Sequence, residues 1–151
     1  QKAKEVLGEY NRMVRNALNK NSGIEIKQLG DGFLFSFDSS RRALTGAFAI
    51  RDGIEDLNSD MSTELSIRVG LHAGEVIRED GDVIGSTVNL AERVMSEANQ
   101  GEIVTSEAFK NLVGGNNKYR FEEIGERTLK GFPNDRMLFR VERLIDNNDG
   151  D

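Results

Sequence analysis

Cysteine is absent from this 151-residue chain. That excludes disulfides, thiolate zinc sites and cysteine nucleophiles, and it leaves any metal to oxygen ligands, the kind that suit magnesium, manganese or calcium. A long apolar run is also missing. The charge-free stretch ALTGAFAI falls far short of the roughly 20 residues a membrane span needs, and no signal peptide opens the sequence. The single histidine, His72, has no recognisable partner for a triad or a metal cluster, so it reads as a packing or hydrogen-bonding residue in a strand. Basic side chains are outnumbered, 20 against 26 acidic ones, and a net charge of -6 without a basic cluster argues against a nucleic-acid surface. A small anionic ligand stays possible, because it needs only a few well-placed cations and a metal ion. With 37% apolar and 30% charged residues, what is present suits one soluble globular domain. The chain begins QKAKEVLGEY, without an initiator methionine and already inside a helical pattern, so it is expected to be a fragment of something longer.

Val6, Leu7, Tyr10, Met13, Val14, Ala17 and Leu18 recur at helical spacing and predict an amphipathic helix to about Asn19, ended by Asn21, Ser22 and Gly23. Two strands follow, over 24–29 and 33–37, with Ile24 and Ile26 on one face, Phe33, Phe35 and Phe37 alternating on the partner, and Asp31-Gly32 as the turn. Asp38 or Ser39 can cap a second helix carrying Ala43, Leu44, Ala47, Phe48, Ile54 and Leu57. Strict alternation of Leu65, Ile67, Val69 and Leu71 predicts a strand that continues through HAGEVI to a short acidic loop, REDGD. A third helix over 86–98, a strand and helix cap in GEIVTS, a short helix in EAFKNLV, and strands over 119–124 and 137–141 complete the order. The tail, 145–151, reads as frayed, which leaves one domain over 1–144. This order predicts an α+β sandwich with helices on a largely antiparallel sheet. In a ferredoxin-like arrangement a leading strand would sit inside that sheet before the first helix.

Several positions could carry chemistry, and each also has an ordinary explanation. Asp31 is either a turn residue or a metal carboxylate, and Lys27 lies just upstream of it. In GSTVNLAERVMSEA, Leu90, Ala91, Val94, Met95 and Ala98 gather on one side of the helix. Asn89 and Arg93, four apart, project together from the other, where an amide and a guanidinium can act on one ligand or simply meet solvent. Lys130 precedes the Gly131 and Pro133 of a turn, as surface lysines do, and Asp82 sits in an acidic loop where solvated charge is usual. GDGFLF lacks the second acidic residue of the Gly-Gly-Asp-Glu-Phe turn of diguanylate cyclases, and no Walker-type phosphate loop is present.

Together these pieces resemble the catalytic domain of class III nucleotide cyclases over essentially the whole chain. Lys27 and Asp31 fall on that family's Lys-x-x-Gly-Asp hairpin pattern, DVIGSTVNLAER on its Asp-x-x-Gly-x-x-Val-Asn-x-x-x-Arg segment, and LKG on its phosphate lysine near the carboxyl end. The resemblance implies a ferredoxin-like α+β cyclase fold, mostly antiparallel with helices packed on it, and a head-to-tail homodimer with two active sites at the interface. By motif position it implies that Asp31 of one protomer holds the divalent ions, Mg2+ or Mn2+, two per active site. From the other protomer, Lys27 and Asp82 would contact the base, Asn89 would position the ribose, and Arg93 and Lys130 would neutralise the phosphates. The reaction implied is in-line attack of the ribose 3'-hydroxyl on the α-phosphorus with loss of pyrophosphate. Adenine offers an acceptor at N1 and a donor at N6, which a lysine and an aspartate satisfy, so Lys27 with Asp82 points to ATP rather than GTP. The family's second metal aspartate belongs to a strand before the first helix. This chain starts after that point, so the first strand and that ligand are expected to be missing here. The expected function is an adenylate cyclase, the cytoplasmic output domain of a larger signalling protein, binding no nucleic acid and not itself inserting into a membrane. The alternative is a catalytically inactive cyclase-homology domain that binds nucleotide or dimerises, and guanylate cyclase is less favoured.

Overall fold

A computed structural model describes residues 2–30, 32–80 and 82–144, and the chain divides into two compact units, 1–67 and 68–151. The predicted tail at 145–151 lies outside the described residues.

In the first unit the apolar stripe becomes α1 (Lys2–Lys20), which buries Val14 and Leu18. The helix stops as predicted: the N–H groups of Asn21 and Gly23 both donate to the Leu18 carbonyl, at 3.2 and 2.9 Å, and the Asn21 amide donates to the Ala17 carbonyl at 2.8 Å. Those bonds satisfy carbonyls the helix end would otherwise orphan. The opening hairpin is β1 (Ile24–Leu29) and β2 (Gly32–Ser36). Leu29 pairs with Gly32, so Gly32 belongs to the strand rather than the turn, a correction of one residue. Gly30 supplies the left-handed backbone there, at φ +56, a conformation glycine adopts without a Cβ clash. The second helix, α2 (Ser40–Met61), is capped by Ser39, whose Oγ accepts from the Arg42 N–H at 3.2 Å. Val14 and Leu18 of α1 meet Ile50 and Ile54 of α2 in a buried cluster, on which Phe33, Phe35, Phe37, Leu65 and Ile67 also pack. Burying such a side chain stabilises by about 1.5–3 kcal/mol.

The long strand predicted from Leu65 onward does not form. Leu65 is instead held by a side chain: its carbonyl accepts from Asn58 Nδ2 at 2.9 Å and its N–H donates to Asn58 Oδ1 at 2.8 Å. With those backbone groups engaged, pairing starts in the second unit at β3 (Val69–Leu71), and His72 follows the strand instead of lying in it. The acidic loop is a second correction, because β4 (Ile77–Glu79) and β5 (Asp82–Ile84) form an antiparallel hairpin with Glu79 opposite Asp82. Asp80 occupies the left-handed region at its turn, φ +50, which aspartate tolerates. Next come α3 (Ser86–Ser96), β6 (Ile103–Ser106), α4 (Glu107–Val113), β7 (Tyr119–Arg127) and β8 (Arg136–Arg143). The four-stranded sheet runs β3-β6-β8-β7, parallel between β3 and β6 and antiparallel at the other two pairings, the mostly antiparallel α+β arrangement expected. Leu90 and Val94 of α3, with Ala98 just beyond its end, share a buried core with Val104, Leu129 and Leu138. Gly70 makes this possible: a Cβ on it would lie 2.4 Å from the Met95 backbone nitrogen, so β3 and α3 approach as closely as they do only over a glycine. Among the described residues, no helix is long and apolar enough to cross a membrane.

Candidate functional site

The core of the second unit decides where its candidate cations stand. Leu90 and Val94 turn into the protein, as the helical spacing predicts, Val88 is buried as well although that spacing did not place it with them, and Asn89 is exposed and Arg93 half-buried. Gly85 leads into that helix with φ +116 and ψ 179, backbone angles that suit glycine, and its carbonyl accepts the Asn89 N–H at 3.3 Å. Lys130 is exposed on a turn, yet the residue before it, Leu129, is 2% exposed and belongs to the same core as Leu90 and Val94. The Phe132 N–H closes the turn on the Leu129 carbonyl at 3.0 Å, Gly131 takes φ +90, and Thr128 Oγ1 donates to Asp135 at 2.7 Å just outside. One buried cluster therefore anchors both the helix bearing Asn89 and Arg93 and the turn bearing Lys130.

Charge pairing separates these cations from others nearby. A cleft of about 590 Å3 beside β7 and β8 contains Arg140, Arg120, Glu122 and Glu102, but its charges serve one another. Arg140 reaches Glu102 at 3.2 Å and Glu122 at 2.7 Å, and Arg120 takes the same Glu122 at 2.7 Å. Hydrogen bonds from both arginines hold the Glu122 carboxyl below the usual carboxylate range. Among the described residues no acidic side chain pairs with Arg93 or Lys130. A guanidinium and an ammonium that are not committed to a carboxylate suit an anionic ligand such as a polyphosphate.

Lys27 belongs to the first unit, half-buried on β1 opposite Leu34. Asp31 lies outside the described residues, as does the side chain of Asp82, whose backbone is on β5, four residues before α3 begins. No three His, Cys, Asp or Glu side chains come together as a metal site among the described residues. Those residues do not by themselves fit the divalent ions the resemblance implies.

His72 does hydrogen-bond, as read from the sequence. Its Nδ1 lies 2.6 Å from Ser106 Oγ, and that oxygen also accepts the Phe109 N–H at 3.2 Å to cap α4. That oxygen keeps a second lone pair, so either tautomer of the neutral ring makes the contact. Burial, and then the charge of Arg136, push the His72 pKa down and favour that neutral form. Ser106 is 5% exposed and its hydroxyl caps α4, so the pair ties the end of β3 to the start of α4. Sequence reasoning passed over Leu129, whose only signal is an apolar residue next to Lys130, and the β4–β5 hairpin, whose Asp-Gly pair between Ile77 and Val83 is the signal that located the first hairpin.

The family model described as the adenylate and guanylate cyclase catalytic domain matches residues 1–142. The chain is similar to the putative adenylate cyclase 3 of Rhizobium meliloti, 27% identical over 127 residues, an alignment covering 83% of this chain and 22% of that protein. It is also similar to the adenylate cyclase of Neurospora crassa, 30% identical over 190 residues, covering 87% of this chain and 8% of the relative. The chain thus spans less than a quarter of either protein. Among solved structures, the adenylyl cyclase CyaB from P. aeruginosa superposes with a TM-score of 0.79 at 22% identity, over 92% of this chain and 81% of that one. The catalytic core of a rhodopsin-guanylyl cyclase with converted specificity, in complex with ATPalphaS, superposes with a TM-score of 0.80 at 22% identity, over 93% and 85%. At these identities the superpositions establish the fold.

Proposed function

Because this chain belongs to the adenylate and guanylate cyclase catalytic domain family, we propose that it is an adenylate cyclase, converting ATP to 3',5'-cyclic AMP and pyrophosphate. The observation that carries the reading is the shared anchorage of Asn89, Arg93 and Lys130 on one buried core, with both cations uncommitted to carboxylates among the described residues. Negative charge grows on the α-phosphoryl oxygens and on the departing pyrophosphate as the 3'-hydroxyl attacks. Arg93 and Lys130 meet that charge from positions fixed in advance by Val94 and Leu129, so little reorganisation accompanies the reaction. Losing one such donor costs roughly 3 kcal/mol in the barrier, on the order of a hundredfold in rate.

Asn89 holds the ribose through its amide. Lys27 donates to adenine N1 while Asp82 accepts from the N6 amino group, a polarity guanine does not match at the corresponding edge. Asp31 is the residue through which the domain takes up Mg2+ or Mn2+, which when bound would offset charge on the attacking and leaving oxygens. In this reading residues 1–144 work as one catalytic domain, in a homodimer whose two protomers each complete the other's site, as the cytoplasmic output of a larger signalling protein. Relatives named as adenylate cyclases support the choice of ATP.

The test is the initial rate of cyclic AMP formation from ATP, and of cyclic GMP from GTP, with manganese and the full-length protein. ATP is expected to be the better substrate, Arg93→Ala to slow it roughly a hundredfold with the fold intact, and Asp31→Asn to abolish it. A folded protein that binds ATP yet forms neither product is the inactive nucleotide-binding module instead. Preference for GTP overturns the assignment of Lys27 and Asp82.

A further inference from the structure

The hairpin of the first unit is held in two different registers at once. Next to the turn, Leu29 pairs with Gly32, Gln28 with Phe33 and Lys27 with Leu34; farther out, Glu25 pairs with Phe35 and Ile24 with Ser36. The step between Glu25 and Lys27 leaves Ile26 as an extra residue in β1, a β-bulge. Directly opposite residues share a face of the pair. Glu25 therefore lies on the side of Phe33 and Phe35, which pack on the α1–α2 core, while Ile24 and Lys27 lie on the other side with Leu34.

A hairpin without the bulge, continued from its turn, would pair Glu25 with Ser36 and set Ile24 opposite Phe37. A shift of one residue sends every side chain of the slipped segment to the opposite face. Ile24 and Ile26 would then share one face, as their alternation in the sequence predicts, that face would be the helix side, and Glu25 would point away. In the folded chain Ile26 is half-buried, but Ile24 is 56% exposed.

One side chain stands where it can enforce this. Arg15 of α1 grips Glu25 with both arms of its guanidinium, Nε to Oε1 at 2.9 Å and Nη2 to Oε2 at 3.2 Å. The same guanidinium lies 4.8 Å from the centre of the Phe33 ring on β2. It thus holds β1 just before the bulge and β2 just beyond it. We infer that Arg15 is a positioning residue for nucleotide binding: by keeping Glu25 on the helix side it holds the bulge in place, which keeps Ile24 on the face of Lys27 as an apolar wall for the base, Lys27 itself lying opposite Leu34 in either register. The inference rests on the proposed contact between Lys27 and adenine. Bulges next to ligand sites re-aim side chains in this way, by bending the strand and adding local twist. The hydrogen bond from Arg15 also holds the Glu25 carboxyl below its ordinary range, so the grip persists at neutral pH.

Because these 151 residues hold no cysteine, Ile24→Cys, with any cysteine elsewhere in the full-length protein replaced by serine, gives a register probe that does not depend on catalysis. In the full-length protein its thiol is expected to react readily with a maleimide, and in the added Arg15→Ala background to react at least roughly tenfold more slowly as residue 24 turns inward. Arg15→Lys keeps the charge but not the two-armed grip, so it falls between. In the otherwise native chain, Arg15→Ala is expected to raise KM for ATP several-fold with kcat nearly unchanged. Unchanged labelling overturns the register lock whatever the kinetics. Slower labelling with an unchanged KM overturns the positioning role. If Lys27→Ala leaves the preference for ATP over GTP intact, the base contact itself has failed, and that result is separate from the labelling.

Discussion

The two units hold their candidate residues by different physics. In the second, Asn89, Arg93 and Lys130 stand on a closed core in which Val94 and Leu138 are wholly buried and β3 lies against α3 across Gly70. In the first, Lys27 stands on a two-stranded hairpin with no buried residue on β2, its register set by a glycine turn and an arginine fork. Packing resists small changes because any void or overlap is felt throughout the cluster. Polar register devices can change what a strand presents without unfolding anything. The difference matches the tasks proposed for each: charge stabilisation needs groups fixed in advance, whereas base choice needs only a few well-aimed contacts.

The largest effect expected from breaking this contrast is in the second core. Leu138→Ala removes a wholly buried side chain and should cost about 2–5 kcal/mol, read as a lower urea midpoint with an unchanged slope. A change in slope instead would mean that the core is not one cooperative body. Gly70→Ala should cost somewhat less, about 1–3 kcal/mol, because the added methyl meets the Met95 backbone rather than a side chain that can swing away. Thermal unfolding checks it, and an unshifted midpoint would show that α3 can move off β3 freely.

The smallest effect sharpens the comparison through pH. The folded chain binds a proton on His72 less readily than the unfolded chain, whose histidine titrates near about 6.5. Stability from this group is therefore complete above that value, falls as pH drops toward the lower folded pKa, and levels off beneath it. Denaturant midpoints at pH 7.5 and 5.5, as assay conditions of about those values, should show the decline in the native protein and less of it in His72→Gln. Glu25, with its carboxyl pKa also lowered, contributes above the ordinary carboxylate range and loses that only in more acid solution. Near neutrality, then, the second unit is the one expected to respond.

Helices were legible because their signals are local. The spacing of Val14 and Leu18, the cap at Ser39 and the cap at Ser106 each predicted an element that formed. Short strands were not: β4 and β5 have three residues apiece, too few for alternation to stand out, although the Asp-Gly pair was there to read. The candidate positions Asn89, Arg93 and Lys130 were legible as a motif, but nothing in their spacing said that Leu129 would join Leu90 and Val94 in one core.

What the sequence by itself determined is the set of helices, the first hairpin, the family and the residue types offered to a ligand, since periodicity, capping and motif order act within a few residues. The tertiary structure alone decided the rest. Asn58 took the backbone of Leu65 out of strand pairing, Gly70 let α3 settle on β3, and Arg15 reached across ten residues to Glu25 and left Ile24 facing outward. Each of those outcomes is a competition between partners distant along the chain, settled by which pair of surfaces or hydrogen-bonding groups comes together when the chain folds.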